Sequence, residues 1–233
     1  MDQYKNVDRI VVAVDSIIFG FDRENLKVLL IKRGFAPQKD RWSLMGGFLK
    51  REESLNDAAH RVLHKLTGLK DVYLEQLYGF GELNRDPVER TVSIAFYALI
   101  NKKEHDKELM EKYSAKWFPI NDYPDLIFDH TEMVEAAKAR LKYKASHQPV
   151  GFELLPKRFT LPELQNLYEA IYQTPLDKRN FRRRILSTGV LRKTNEKQKK
   201  YSKKGAFLYE FDKEKYKEKR MNGANLVFKP MTS

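Results

Sequence analysis

Residues 9–20 (RIVVAVDSIIFG) are almost continuously apolar and predict a long, mostly buried strand. Residues 27–33 (KVLLIKR) predict its hairpin neighbour across the polar turn at 21–25. Trp42-Ser43-Leu44-Met45 then leads into a glycine turn at Gly46-Gly47, and the period changes. Leu55, Ala58, Ala59, Val62, Leu63 and Leu66 recur at helical spacing, with Ser54 as N-cap, Asp57 three residues on, and Gly68 as the stop. Strands follow at 72–80, 91–100 and 116–120, with a polar loop at 81–90. A helix over 129–144 closes the first half, with Met133, Ala136, Ala137, Arg140 and Leu141 on one side.

Periodicity is lost over 144–153, where Pro149 and Gly151 stand, so the domain boundary is placed at 148/149. Thr160 predicts an N-cap for a helix over 161–172 that gathers Leu164, Leu167, Tyr168 and Ile171 on one face. After a break at 173–176, Asp177 caps a second helix over 178–186. Phe181, Ile185 and, at the margin, Leu186 turn inward, which leaves Lys178, Arg179, Asn180, Arg182 and Arg183 facing out. Strands at 190–193 and 206–211 flank a basic loop over 194–205 that carries Lys197, Lys199, Lys200, Tyr201, Lys203 and Lys204. Helix, short turn, basic helix and basic hairpin are the parts of a winged helix-turn-helix, whose second helix reads the major groove while its wing reaches phosphates.

Charge sharpens this division. Residues 1–150 hold 24 Lys/Arg against 23 Asp/Glu, and residues 151–233 hold 20 against 9, within a net charge of +12. Over 157–204 the count is 14 against 4, so the excess sits on the proposed DNA-reading surface: Lys178, Arg179, Asn180, Arg182, Arg183, Lys197, Lys199, Lys200, Tyr201, Lys203 and Lys204. A basic face serving only solubility is the plain alternative. Cysteine is absent, which excludes disulfides and thiolate metal sites. The polar first residues lack a signal-peptide core, and no apolar run reaches the roughly 20 residues of a membrane span. A cytoplasmic protein without membrane contact is expected.

The stretch from Gly47 to Leu69 carries the candidate chemistry. Gly47, Glu53, Arg61, Leu63, Gly68 and Leu69 fit the spacing of the Nudix box, while the three glutamate positions of its second half hold Val62, Lys65 and Leu66. The strand order and the Trp117-Phe118-Pro119-Ile120 segment extend the resemblance to Nudix domains over about 145 residues. In that family the box glutamates hold Mg²⁺, which needs oxygen ligands. Valine, lysine and leucine offer none, so neither metal nor cofactor nor catalytic residues are expected, and the chain is read as a non-enzyme. His60 and His64 stand at i and i+4, but Arg61 occupies the place of the base in the zinc-protease pattern and no third ligand is near in sequence.

A pocket can outlive its metal. Asp15, Lys32, Arg33, Trp42, Arg85 and Arg90 are the candidate effector-binding residues, with Phe80 and Phe118 as further apolar wall. Each has a plain structural alternative: Asp15 as a cap or ion pair, Trp42 as core, Arg90 as a partner of Glu82 or Glu89. Together the two halves resemble the Nudix-related transcriptional regulators of bacteria, with Leu161-Pro162-Glu163-Leu164-Gln165 and residues 177–183 as the marks in the second half. The resemblance implies an α+β chain: a Nudix-like mixed-sheet α/β/α sandwich over 1–148, which senses an effector, and a winged helix-turn-helix over 149–233. It implies a homodimer on palindromic double-stranded operator DNA, read here as a repressor. Some members respond to ADP-ribose, and a branch with a degenerate box responds to arabinose. The lost glutamates point to a pentose such as L-arabinose. The alternatives are a regulator of NAD metabolism sensing ADP-ribose, an active Nudix hydrolase with a nucleic-acid-binding module, and a structural nucleoid protein.

Overall fold

β1 (Val11–Phe21) is buried from Ala13 to its end, and Val14, Ile17, Ile18 and Phe19 have no exposed surface. A strand covered on both faces reads as an unbroken apolar run, which is why residues 9–20 stood out. The computed structural model describes residues 7–70, 72, 74–101, 114–198 and 205–222. Of these, the residues within 1–19, 28–99 and 105–137 form one compact unit, and those within 20–27, 100–104 and 138–233 form another.

In the first sheet the strand order is β3-β2-β1-β6-β5, with β2 at Leu26–Lys32, β3 at Trp42–Ser43, β5 at Leu74–Phe80 and β6 at Thr91–Ile100. β4 (Met45–Phe48) pairs with β1, and β7 (Lys116–Pro119) pairs with β2. The glycine turn expected at Gly46-Gly47 is strand: β4 runs antiparallel to β1 with Asp15 opposite Gly46 and Val14 opposite Gly47. The glycines are there for close approach. A Cβ on Gly46 would lie 2.1 Å from Asp15 Oδ1, and one on Gly47 would lie 2.7 Å from Val62 Cγ2. β5 begins at Leu74, later than the residue-72 start expected from the pattern.

α1 (Leu55–Thr67) forms where its caps place it. Ser54 Oγ accepts from the Asp57 amide at 3.2 Å, and Asp57 Oδ2 accepts from the Ser54 amide at 3.2 Å. Gly68 ends the helix at φ 73°, its N–H donating to the His64 carbonyl at 2.8 Å. Ala58, Ala59, Val62 and Leu63 are buried, and the helix packs on β4 and β5. α2 (His130–His147) buries Met133, Val134, Ala137, Leu141 and Ala145 and runs three residues past the expected end.

The second unit holds a 3₁₀ turn at Phe152–Leu154, β8 (Phe159–Thr160), α3 (Leu161–Tyr172), α4 (Lys178–Ser187), β9 (Leu191–Gln198), β10 (Ala206–Phe211) and α5 (Lys213–Met221). β10 lies between β8 and β9. Thr160 and Glu163 form a capping box, and Asp177 accepts from the Asn180 amide at 2.8 Å, so both helices start where their caps predict. Leu164, Leu167, Tyr168, Ile171, Phe181 and Ile185 form the shared core. Three expectations change. β9 extends through Gln198, because Lys197 and Gln198 pair with Phe207 and Ala206 of β10 beyond a register shift. Leu186 lies outside the core at 38 % exposure. Lys199, Lys200, Tyr201, Lys203 and Lys204 fall outside the described residues. Among the described residues, no helix is long and apolar enough to cross a membrane.

Candidate functional site

Between β1, β4, α1 and the segment after β2 the first unit encloses a cavity of about 740 Å³. The three positions that depart from the box pattern, Val62, Lys65 and Leu66, line it together. They share a face because residues three and four apart on a helix are neighbours. Arg33, Phe35, Phe48 and Phe128 contribute further wall. The Arg33 guanidinium lies 3.9 Å from the centre of the Phe35 ring and 5.2 Å from that of Phe128, and its Nε donates to the Phe35 carbonyl at 3.1 Å.

The polar end of the cavity is a buried network. Asp15, 4 % exposed, accepts from Ser93 Oγ at 2.6 Å through Oδ2. Arg85 donates to both oxygens of Asp129, Nε to Oδ2 at 2.8 Å and Nη2 to Oδ1 at 2.7 Å, and its Nη2 lies 3.8 Å from Asp15 Oδ2. A guanidinium held by two parallel bonds is fixed in plane and direction. His130 Nδ1 accepts from the Leu44 amide at 3.1 Å, so the proton of the neutral ring sits on Nε2, which faces Asp15 Oδ1 at 3.6 Å. Burial pushes the His130 pKa down, against the pull of Asp15 and Asp129, and favours that neutral form.

The box residues that remain have structural duties. Arg61 Nε donates to Glu53 Oε2 at 2.7 Å, its Nη2 donates to Glu53 Oε1 and, at 2.9 Å, to the Phe48 carbonyl. Glu53 also accepts from the Lys50 amide at 2.7 Å, so this pair ties α1 to the segment before it. The hydrogen bonds from Arg61 hold the Glu53 carboxyl down at about 2. A Nudix-type Mg²⁺ does not fit this donor set. Glu53 is engaged by Arg61, Asp15 by Ser93, and the helix face offers an ammonium between two alkyl groups. His60 is turned to backbone, with Nδ1 2.8 Å from the Asn56 carbonyl and Nε2 3.2 Å from that of Val72.

Of the residues named from sequence, Asp15, Lys32, Arg33 and Arg85 line the cavity. Trp42 and Arg90 do not. Trp42 stands edge-to-face with Phe118 at 4.9 Å and lies beneath Lys32 Nζ at 5.5 Å. Arg90 Nη1 donates to the Glu82 carbonyl at 3.2 Å. Phe80 and Phe118 are likewise absent from the lining. His130, Phe35 and Phe128 were missed, and no local pattern marks them. Lys65 had a signal, because it occupies a box position on the metal-gripping face.

In the second unit α4 turns Lys178, Arg179, Arg182 and Arg183 to solvent. Asn180 is half-buried and accepts from Arg183 Nη2 at 3.0 Å. Lys193 and Lys197 of β9 lie 3.6 and 4.5 Å from the centre of the Phe207 ring. The carboxylates of this sheet are occupied: Glu210 accepts from Arg158 and Arg192, and Glu196 from Arg158. The Arg158 and Arg192 bonds hold the Glu210 pKa below its ordinary value. An exposed basic helix beside a basic strand pair forms a surface suited to duplex DNA.

Residues 9–137 match the NUDIX domain, and residues 151–211 match the NrtR DNA-binding winged helix domain. An ADPR responsive transcriptional repressor, NtrR, of Acinetobacter baylyi is 38% identical over 210 residues, spanning 88% of this chain and 84% of the relative. The structure of Shewanella oneidensis NrtR complexed with a 27mer DNA superposes with a TM-score of 0.81 at 31% identity, covering 88% of this chain and 95% of that one. The NUDIX domain of the same Shewanella protein, complexed with ADP ribose, matches at 30% identity and a TM-score of 0.51, over 59% of this chain and 92% of that one. The expected arabinose-responsive branch finds no support among these relatives. A mixed-sheet Nudix domain followed by a winged helix, with this similarity across most of both chains, places the protein: it belongs to the NrtR family of Nudix-domain transcriptional regulators.

Proposed function

We propose that this chain is a repressor that binds operator DNA through residues 149–233 and senses ADP-ribose, or a closely related nucleotide, through residues 1–148 without hydrolysing it. The observation that carries this reading is the cavity wall at Val62, Lys65 and Leu66. There a carboxylate cage for Mg²⁺ gives way to an ammonium, which favours an anion directly. Lys32, Arg33 and Lys50 line the same cavity, so a diphosphate meets cations without needing a metal. Phe35, Phe48 and Phe128 offer apolar surface for a base. A neutral pentose would leave those cations without countercharge, so the structure favours the nucleotide over the sugar. The relatives that respond to or bind ADP-ribose point the same way.

In this reading Asp15, Lys32, Arg33 and Arg85 contact the effector, while Trp42 and Arg90 support the fold. Lys178, Arg179, Asn180, Arg182 and Arg183 read the major groove, and Lys197 with the basic residues that follow it reaches phosphates. A homodimer sets two α4 helices about 34–36 Å apart along the duplex, matching two half-sites. Occupancy changes tenfold if the effector binds the two DNA-affinity states with free energies differing by about 1.4 kcal/mol. Calorimetry with ADP-ribose, NAD and L-arabinose, beside a Mg²⁺-dependent turnover assay, tests the proposal. Saturable ADP-ribose binding without turnover is expected. Turnover of ADP-ribose, or binding of arabinose alone, overturns it.

A further inference from the structure

Residues 20–27, the turn of the β1–β2 hairpin, cluster with the second unit, while the rest of both strands clusters with the first. The turn is held firmly. Asp22 Oδ1 accepts from the Glu24 amide at 3.1 Å and the Asn25 amide at 2.8 Å, and Lys27 Nζ lies 2.7 Å from Asp22 Oδ2. Arg23 stands at φ 90°, a left-handed conformation that is strained for a residue with a side chain. In that conformation its carbonyl accepts from Asn166 Nδ2 at 3.3 Å, and its Nε lies 3.7 Å from Glu163 Oε1.

Glu163 is no ordinary partner. Its other oxygen, Oε2, accepts from the Thr160 amide at 2.9 Å and from Thr160 Oγ1 at 3.1 Å, which is the capping box that begins α3. Thr160 in turn sits in β8 opposite Leu208 of β10, a strand of the wing. Arg23 and Glu24 also line a groove of about 740 Å³ together with Lys178 and Arg182 of α4 and Phe207 of β10. β1 carries Asp15 and β2 carries Lys32, with Arg33 directly after it, into the effector cavity.

We infer that Arg23 is the positioning residue through which the effector cavity biases DNA binding. This rests on the proposed function. A ligand that draws on Asp15, Lys32 and Arg33 loads one end of a hairpin whose strands are packed and stiff. The other end grips the capping carboxylate of the helix-turn-helix, so the load changes how α3 and the wing are set against α4.

The test uses the full chain and the duplex it selects from a random-sequence pool, with affinity measured with and without saturating ADP-ribose. Arg23→Gly removes the guanidinium and relieves the positive φ, so the turn itself is kept. The parent is expected to change its duplex affinity at least tenfold on adding ADP-ribose. In Arg23→Gly the affinity for duplex alone and for ADP-ribose alone should each stay within threefold of the parent, while the ADP-ribose-induced change falls below threefold. Arg23→Lys, which keeps a cation toward Glu163, should restore a change above threefold. A full response in Arg23→Gly overturns the inference, as does loss of duplex binding without ADP-ribose, which marks a merely structural role. If Arg23→Gly does not fold, Arg23→Asn, which tolerates the left-handed conformation and likewise removes the guanidinium, takes its place with the same expected results. A parent that ignores ADP-ribose removes the functional reading and the inference with it, whereas a responsive parent beside a responsive Arg23→Gly removes the inference alone.

Discussion

The protein carries two cationic surfaces, built in opposite ways. In the cavity of the first unit the side chain of Arg85 is 3 % exposed and locked to Asp129 by two hydrogen bonds, and Arg61 is tied to Glu53. On α4 the cations are solvent-facing, and among the described residues Lys178, Arg179, Arg182 and Arg183 have no carboxylate within ion-pair distance. Fixed, paired cations define the shape of the cavity, while the exposed Lys32, Lys50 and Lys65 on its wall supply charge for one small anion. Solvated cations suit a polyanion whose phosphates recur along a helix and whose binding releases counterions. The same residue types therefore serve recognition of two kinds, and the fixed, concave frame of the cavity separates them.

The contrast can be broken most severely from the buried side. Asp129→Ala leaves the Arg85 charge buried beyond the reach of its bidentate partner, and about 3–5 kcal/mol of stability should be lost in urea denaturation. A loss under 1 kcal/mol would show that the pair is not organised as described. Replacing Arg182 and Arg183 together by Ala should weaken operator binding about 100-fold, measured by fluorescence anisotropy, yet leave stability within about 0.5 kcal/mol because both side chains are exposed. ADP-ribose affinity should not change in that variant; unchanged DNA affinity would remove α4 as the reading helix. Lys65→Glu reverses one charge in the cavity wall and is expected to reduce ADP-ribose affinity about tenfold by calorimetry, with duplex affinity in the absence of ligand unaltered.

The smallest effect concerns the box residues that remain. Glu53 has a carboxyl pKa of about 2 in the fold against an ordinary 4.5, so its contribution is fully present above pH 4.5 and fades as pH falls toward 2. The melting-temperature gap between the parent and Glu53→Gln should be widest near neutrality and should narrow progressively below pH 4.5. A gap independent of pH would mean that the Arg61 pairing does not act through charge.

Local interactions made much of the fold legible. Ser54, Thr160 and Asp177 start helices through atoms three residues away, and Gly68 stops one through a carbonyl four residues back, so short sequence windows contain the whole cause. The nearly continuous apolar runs of β1 and β6 likewise announce strands that are largely covered on both sides. Less was visible wherever the partner is distant. Gly46 and Gly47 look like a turn until β4 is laid against β1, where the space a side chain needs is filled by Asp15 and Val62. Trp42 and Arg85 looked equally suited to a pocket, yet one packs on Phe118 and the other lines the cavity.

By itself, then, the sequence determined that a mixed-sheet domain precedes a winged helix, that the second half is the basic one, and that the box lacks its glutamates. The first and third rest on motif spacing and the family resemblance it carries, and the second on summed charge. The tertiary structure decided that Val62, Lys65 and Leu66 face a cavity with Arg33, Phe35, Phe128 and His130. It also decided that the guanidinium of Arg23 meets the capping carboxylate of Glu163. Those groups come from strands, loops and helices far apart in the chain, and only packing of the apolar faces sets the distances between them.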